Sequence, residues 1–211
     1  MVQNVTKRRP GRPRAYDPDV ALQRAVQTFW RRGYSATSLD DLSAAMDMNR
    51  PSLYAAFGDK RDLYLKTLDR YTHLSVKSIE ETLDFDLPLE QALRNFYARA
   101  VSSYLPPGDL ALGCYLIGTA ATEASTDSEI AGRLNGALRA FDKAIRARLR
   151  YAAKHEDLPA DADPDDLAVI VSGVLYMLAV RSRAGEPKAA LEEFVDRGVR
   201  HICGKRKGKK A

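Results

Sequence analysis

Apolar residues in this chain recur three and four positions apart over most of its length, and the strict alternation of a half-buried strand is almost nowhere found. That period belongs to helices with one buried face, so the expected fold class is all-α. Asp17-Pro18 offers an N-cap and a proline in the first turn. Leu22, Ala25, Val26 and Phe29 then share a face with Trp30 beside them, and Gly33 supplies a stop. Thr37-Ser38-Leu39-Asp40 has the form of a capping box. Leu39, Leu42 and Met46 follow on one face of a helix only about two turns long. Asp47-Met48 interrupts it, and Asn49 caps a second short segment, "NRPSLYAAFGDK", in which Leu53 and Phe57 point inward. Asp59 caps a longer helix through Leu63, Leu68 and Tyr71 to Leu83. Five more helices are predicted: Pro88 to Leu105, Leu112 to Ser125, Asp127 to His155, Asp165 to Ala184, and one ending at Cys203. No fixed-period repeat and no long heptad run appears.

An isolated helix of two turns does not survive in water, so the two short helices need a reason. Two such helices joined by a brief turn and braced by a preceding one form a helix-turn-helix, whose second helix lies in the DNA major groove. Leu53 and Phe57 would anchor it, leaving Arg50, Ser52 and Tyr54 facing out. A helical hairpin inside an ordinary bundle is the other reading. The caps, the turn and the spacing together favour the helix-turn-helix.

The stretch "YSATSLDDLSAAMDMNRPSLYAAFGDKRDLY" resembles the DNA-binding signature of the tetracycline-repressor (TetR) family, most specifically in S-L-Y-x-x-F followed by x-x-K. The likeness is strong over residues 15–66. It implies nine helices, a homodimer, binding to a double-stranded DNA operator, and release by a small molecule held in the C-terminal domain. By that likeness Arg50 and Pro51 reach base edges, Tyr54 and Lys60 meet phosphate, and Thr37 and Ser38 meet the backbone. The chemistry agrees: arginine offers a fork to guanine O6 and N7, and hydroxyls and lysine pair with phosphate. Ser52 adds a hydroxyl, and Ala55 offers apolar contact, for example to a thymine methyl. Three departures stand out. Asp47 replaces the glycine of the turn, although aspartate tolerates the left-handed conformation. Ala55 and Ala56 stand where larger residues are usual. Asp40 stands where many relatives carry a basic residue, and is read as a cap.

Charge sharpens this picture. Residues 1–14 carry five basic residues and no acid, and residues 205–211 carry five more, against a net charge of +5 for the whole chain. The basicity therefore sits in two tails on a mildly acidic body, as suits a polyanionic partner. Within "TKRRPGRPR", Pro10-Gly11-Arg12-Pro13-Arg14 resembles an AT-hook core, and Arg12 and Arg14 suit a narrow minor groove. A solvated, idle tail is the alternative, for the C-terminal segment especially.

Residues 67–204 are read as the effector-binding and dimerisation domain. "LGCYLIGTAATEAS" permits close helix approach and resembles a Gly-Cys-Leu segment in a TetR branch that includes electrophile-sensing repressors. The segment "LYMLAVRSRAGEPKAALEEFVD" resembles the same branch, and implies that the last two helices pair across a two-fold axis. Leu175, Leu178, Leu191 and Phe194 are the candidate interface; intrachain core is their other role. Tyr97, Tyr104, Cys114, Tyr115, Ile117, Phe141 and Tyr176 are the candidate pocket, mostly apolar with a few hydroxyls. Cys114 is either a sensor, which requires access and a lowered pKa, or a buried packing residue.

Other classes find little support. His73, His155 and His201 are far apart, and no zinc, Walker or nucleophile-elbow motif is present. No enzyme, cofactor or metal site is expected. No apolar run approaches a membrane span, no secretory signal is evident, and two cysteines make no disulfide framework, so a cytoplasmic setting is the default. An architectural DNA-binding protein without a ligand remains the rival to a ligand-responsive regulator.

Overall fold

The computed structural model describes residues 16–108, 111–155, 158 and 162–204; among them it is all α-helical, with no strand. Three helices lie at the N-terminal end: α1 (Pro18–Arg32), α2 (Leu39–Met46) and α3 (Arg50–Phe57). They are followed by α4 (Lys60–Thr82) and α5 (Leu89–Tyr104). A wide π turn at Leu116–Ala120 leads into the single turn α6 (Ala121–Glu123). The bundle is completed by α7 (Ser128–His155), α8 (Pro164–Arg183) and α9 (Lys188–Cys203).

Local chemistry sets most boundaries. The Asp17 carboxylate accepts from the Asp19 and Val20 N–H groups, Asn49 Oδ1 accepts from the Ser52 N–H, and Asp59 and Asp62 form a reciprocal capping box. These bonds satisfy first-turn donors that have no partner within the helix. The box of α2 lies one residue later than the sequence suggests. Ser38, with extended backbone, is the cap and Asp41 its partner, so neither Thr37 nor Asp40 caps. Asp47 ends α2 at φ 54°, ψ 47°, the left-handed conformation expected of it, and the Met48 N–H returns to the Ser43 carbonyl at 3.0 Å.

Phe29, Leu42, Met46, Leu53 and Leu63 are buried in a core shared by α1 to α4. Tertiary packing of this kind, rather than propensity, is what holds two-turn helices. α4 continues from this core into the larger bundle, where it packs on α5 and α7. An aromatic seam follows the same path. Phe29, Trp30, Tyr34, Tyr64, Tyr71 and Tyr115 stand with neighbouring ring centroids 4.6 to 6.2 Å apart. The N-terminal helices and the bundle are thus joined through side chains as well as through the chain.

The helix predicted from Leu112 does not begin there. Residues 111–114 have no regular secondary structure, and helical turns start only at Tyr115. Their polar groups are satisfied across the fold instead, as burial requires. The Leu112 and Gly113 N–H groups donate to the Tyr104 carbonyl at 3.0 and 3.2 Å. The Leu112 carbonyl accepts from Trp30 Nε1 at 3.3 Å and from Arg183 Nη1 at 3.0 Å. Gly113 sits at φ +63°, where a Cβ would lie 2.5 Å from the Ala179 carbonyl oxygen; only glycine fits.

Candidate nucleic-acid interface and ligand cavity

α3 presents two faces. Leu53 and Phe57 are buried, while Arg50, Pro51, Ser52, Tyr54 and Ala55 are exposed. Pro51 in the first turn removes a donor that the helix does not need, so the front of α3 stays short, polar and rigid. Arg50 is not loose. Its Nε donates to Asp40 Oδ1 at 2.8 Å and its Nη2 to Asp40 Oδ2 at 2.6 Å. Those hydrogen bonds, and then the carboxylate charge, raise the guanidinium pKa. Lys60 opens α4 with its Nζ 4.5 Å from the centre of the Tyr34 ring and 3.5 Å from the Ser35 carbonyl oxygen. Partial burial lowers its pKa.

A cavity of about 390 Å³ lies beside this unit. One wall belongs to α1, with Gln23, Val26, Gln27 and Trp30. The others come from α4, from α5 and from the irregular segment at Leu112 and Cys114, with Phe141 and Leu175 behind. Its inner lining is aromatic and apolar: Trp30, Phe96, Tyr104, Cys114 and Phe141 are all buried. Its outer rim is polar, with Arg70, Arg99, Ser75, Ser78, Ser102 and Ser103. Burial raises the phenol pKa values of Tyr71 and Tyr104 well above the ordinary range, so both are hydrogen-bond donors at neutral pH. The Tyr71 hydroxyl donates to Cys114 Sγ at 3.7 Å. The Cys114 thiol is itself pushed up by burial, which outweighs the N–H groups of Ile117 and Leu116 and the phenol hydroxyls that favour its thiolate.

Polar bonds cross the junction between the bundle and the unit made by α1–α3 with the first turn of α4. Trp30 Nε1 also donates to the Gly113 carbonyl at 3.1 Å. Arg70 on α4 reaches Asp19 at 2.5 Å and Gln23 at 3.5 Å. On the far side Ser35 donates to Glu123 at 2.9 Å. Arg61 forms a two-pronged pair with Asp127, at 2.6 and 2.9 Å, and a bond to Glu129 at 3.0 Å. Asp127 also accepts from the Glu129 and Ile130 N–H groups at the start of α7. Arg61 is the first cause, ahead of those N–H bonds, of a carboxyl pKa held far below its usual range.

Residues 21–67 match the profile of bacterial regulatory proteins, tetR family, and residues 89–197, about half of the chain, match that of a tetracyclin repressor-like C-terminal domain. The chain belongs to the tetR family. It is 29% identical to the HTH-type transcriptional repressor ComR of Escherichia coli over 90% of this chain and 89% of that protein. It is 32% identical to the HTH-type transcriptional regulator YezE of Bacillus subtilis, covering 88% and 96%. A cysteine-substituted variant of the TetR-family regulator CifR, solved with a 26-bp double-strand operator DNA, superposes with a TM-score of 0.70. That pair is 33% identical, covering 90% of this chain and 98% of that one. This protein is therefore a helix-turn-helix, DNA-binding transcriptional regulator, and these relatives are regulators rather than enzymes.

Within this tetR-family fold the residues singled out from sequence separate into groups. Arg50, Pro51, Ser52, Tyr54 and Ala55 share the outer face of α3, and Ser38 is exposed beside them. Thr37 is not available to a phosphate: it is buried, and its hydroxyl donates to the Gly33 carbonyl at 2.6 Å to close the α1–α2 turn. Arg12 and Arg14 lie outside the described residues. Of the candidate pocket residues, Tyr104, Cys114 and Phe141 line the cavity and four do not. Tyr97 is buried against the Val171 carbonyl, Tyr115 pairs with Thr67, and Tyr176 donates to Asp142. Ile117 is half-buried in the π turn.

The candidate interface also changes. Leu175 lines the cavity, and Leu178 and Leu191 are fully buried within the single chain. Phe194 is half-buried, with the Arg181 guanidinium 4.6 Å from its ring centre. The apolar surface that is free lies on the opposite face of α8: Val169, Ile170, Met177 and Val180 are exposed, with open space around Gly173. With Gly173 between them, Val169, Met177 and Val180 fall on a row four, four and three apart that the sequence displays; which of the two apolar faces of α8 meets the core is not displayed there. Gln23, Gln27, Arg70 and Arg99 on the cavity wall were missed because nothing local marks a polar residue as facing a cavity.

Proposed function

We propose that this protein is a homodimeric repressor that binds a pseudo-palindromic operator and lets go when a small molecule enters the cavity. Residues 15–66 form its DNA-binding unit and residues 67–204 its effector-binding and dimerisation unit. The observation that carries the reading is that α1 supplies one wall of the cavity, through Gln23, Val26, Gln27 and Trp30. A ligand there touches the DNA-binding unit and the bundle at once. It can then favour one relative placement of the two, which is all that ligand-driven release needs: different affinity for two states. ComR is named as a repressor, and the CifR variant is solved on operator DNA; both support the reading.

The recognition helix is α3, with Arg50 directed at a base and Tyr54, Ser52 and Ser38 toward phosphate. Arg12 and Arg14, outside the described residues, are proposed as minor-groove contacts on the strength of their Arg-Pro sequence alone. The two subunits meet through the exposed face of α8, since burying that apolar row is the ordinary reason for an isologous contact. The test is footprinting on promoter DNA. A regulator protects one short site with half-site centres about 34–36 Å apart or somewhat more. Uniform coating of DNA would instead establish the architectural reading. Saturable release of that footprint by a cavity ligand completes the test.

A further inference from the structure

The cavity has one charge sign. Its lining contains two arginines, Arg70 and Arg99, and among the described residues no aspartate or glutamate. The two arginines differ. Arg70 is engaged by Asp19 at 2.5 Å and by Gln23, so its charge is already answered. The Arg99 guanidinium meets only the Ser78 hydroxyl, at 3.4 Å, and has no carboxylate partner among the described residues; the Ser103 hydroxyl donates to the Arg99 carbonyl at 2.9 Å. Arg99 stands exposed on α5, on the same rim as Ser75, Ser102 and Ser103. Inward of this rim the lining turns to buried Phe96, Tyr104, Phe141 and Trp30.

We infer that the effector is a small organic carboxylate, its anionic end held by Arg99 with the rim serine hydroxyls and its apolar body lying among the buried aromatic side chains. The inference rests on the proposed role of the cavity as the effector site. Arginine presents a planar fork that matches a carboxylate in two parallel bonds. The Ser78 hydroxyl, whose oxygen accepts from Arg99 and whose proton remains, and the Ser102 hydroxyl add donors around the same oxygens. The apolar floor removes the body of the ligand from water. A cationic ligand would find no carboxylate in the lining and would meet the unanswered charge of Arg99. A neutral ligand of the same shape would leave the Arg99 fork unanswered. The cavity volume is at the small end for ligand sites, which suits a monoacid rather than a large conjugate.

Trp30 is the only tryptophan in the sequence and lines the cavity, so its emission reports occupancy. The full-length protein is titrated with sodium salts of straight-chain acids from butanoate to decanoate, with benzoate and with cinnamate. The matching amides are titrated in parallel. The expected result is a saturable change with at least one carboxylate, its amide binding roughly tenfold more weakly or worse, as loss of one charged hydrogen-bonded pair implies. Arg99→Gln should bring acid and amide to equal affinity, and Arg99→Lys should keep part of the preference. Because Arg99 is exposed, the variants should melt as the wild type does. The inference is overturned if no carboxylate saturates the signal, if acid and amide bind equally to the wild type, or if Arg99→Gln keeps the preference. Operator binding, read on the same samples, separates the two ideas. A carboxylate that binds without releasing DNA refutes the release reading and leaves the ligand class standing. Release by a neutral compound that competes at Trp30, with carboxylates inert, does the reverse.

Discussion

Asp40 on α2 and Arg50 on α3 hold each other by two parallel bonds, Nε to Oδ1 at 2.8 Å and Nη2 to Oδ2 at 2.6 Å. Both side chains are more than half exposed, so the pair adds little to stability. Its consequence is directional. Asp40 occupies the Nε edge of the guanidinium and leaves the Nη1 hydrogens and the second Nη2 hydrogen to another acceptor. That remaining edge is itself a fork of the kind that guanine O6 and N7 accept.

Replacing Arg50 by alanine should therefore lower operator affinity roughly ten- to hundredfold and relax preference at one base pair in each half-site. Asp40→Asn should keep the base contact possible but let the fork wander. The ratio of operator to random-DNA affinity then falls while random-DNA binding holds or rises, because an acid near phosphate has been removed. Competition anisotropy with operator and scrambled duplexes measures both. An unchanged ratio in Asp40→Asn would reduce the pair to a surface contact.

Gly113→Ala tests the irregular segment before Tyr115. The substitution places a Cβ 2.5 Å from the Ala179 carbonyl oxygen and forces alanine into left-handed backbone. A loss on the order of 2–3 kcal/mol is expected in urea or thermal unfolding. Gly33→Ala, at φ 82°, ψ 166° with open space around it, isolates a backbone penalty of about 1–3 kcal/mol, to which Gly113→Ala adds the contact. Equal costs would mean that the backbone conformation, and not the contact with α8, is what glycine serves.

The face of α8 gives a test of assembly. Met177→Asp or Val180→Asp places a charge on surface already exposed in the single chain, so each monomer should remain folded. Two-fold contact through this face predicts that sedimentation shifts from dimer to monomer and that operator binding falls with it. Leu191→Ala, buried within one chain, should lower the melting temperature with the dimer intact at moderate temperature.

Cys114 carries a pH prediction. Desolvation raises its thiol pKa, so the thiolate is scarce at pH 7 and alkylation should be slow. In native protein iodoacetamide should modify half-buried Cys203 first. The Cys114 rate should climb only as pH rises beyond the ordinary thiol value of about 8.5. By linkage, whatever stability the shift contributes is full below that value and is lost as pH rises through the higher folded-state value. Peptide mass spectrometry over a pH series separates the two cysteines. Faster labelling of Cys114 at neutral pH, with loss of operator binding, would make it the sensor that its sequence context suggests.

The sequence by itself determined most of the helices, most of their caps and the helix-turn-helix. Each of those rests on contacts within a few residues: Asn49 over the Ser52 N–H, Asp59 with Asp62, Leu53 and Phe57 four apart on one face. Such chemistry is local, so spacing alone reveals it. It also carried the family, because the helix-turn-helix signature is a contiguous run. What only the tertiary structure decided involves partners far apart in the chain. Asp40 reads as a cap until α3 brings Arg50 onto it. Residues 112–114 read as helix until Tyr104, Trp30 and Arg183 take up their backbone groups. Leu175 reads as interface until α8 turns it into the cavity and sends Met177 and Val180 outward. A helix with apolar residues on two faces shows that both are buried somewhere. Only the packing of its neighbours says which one the chain covers itself and which is left for another molecule.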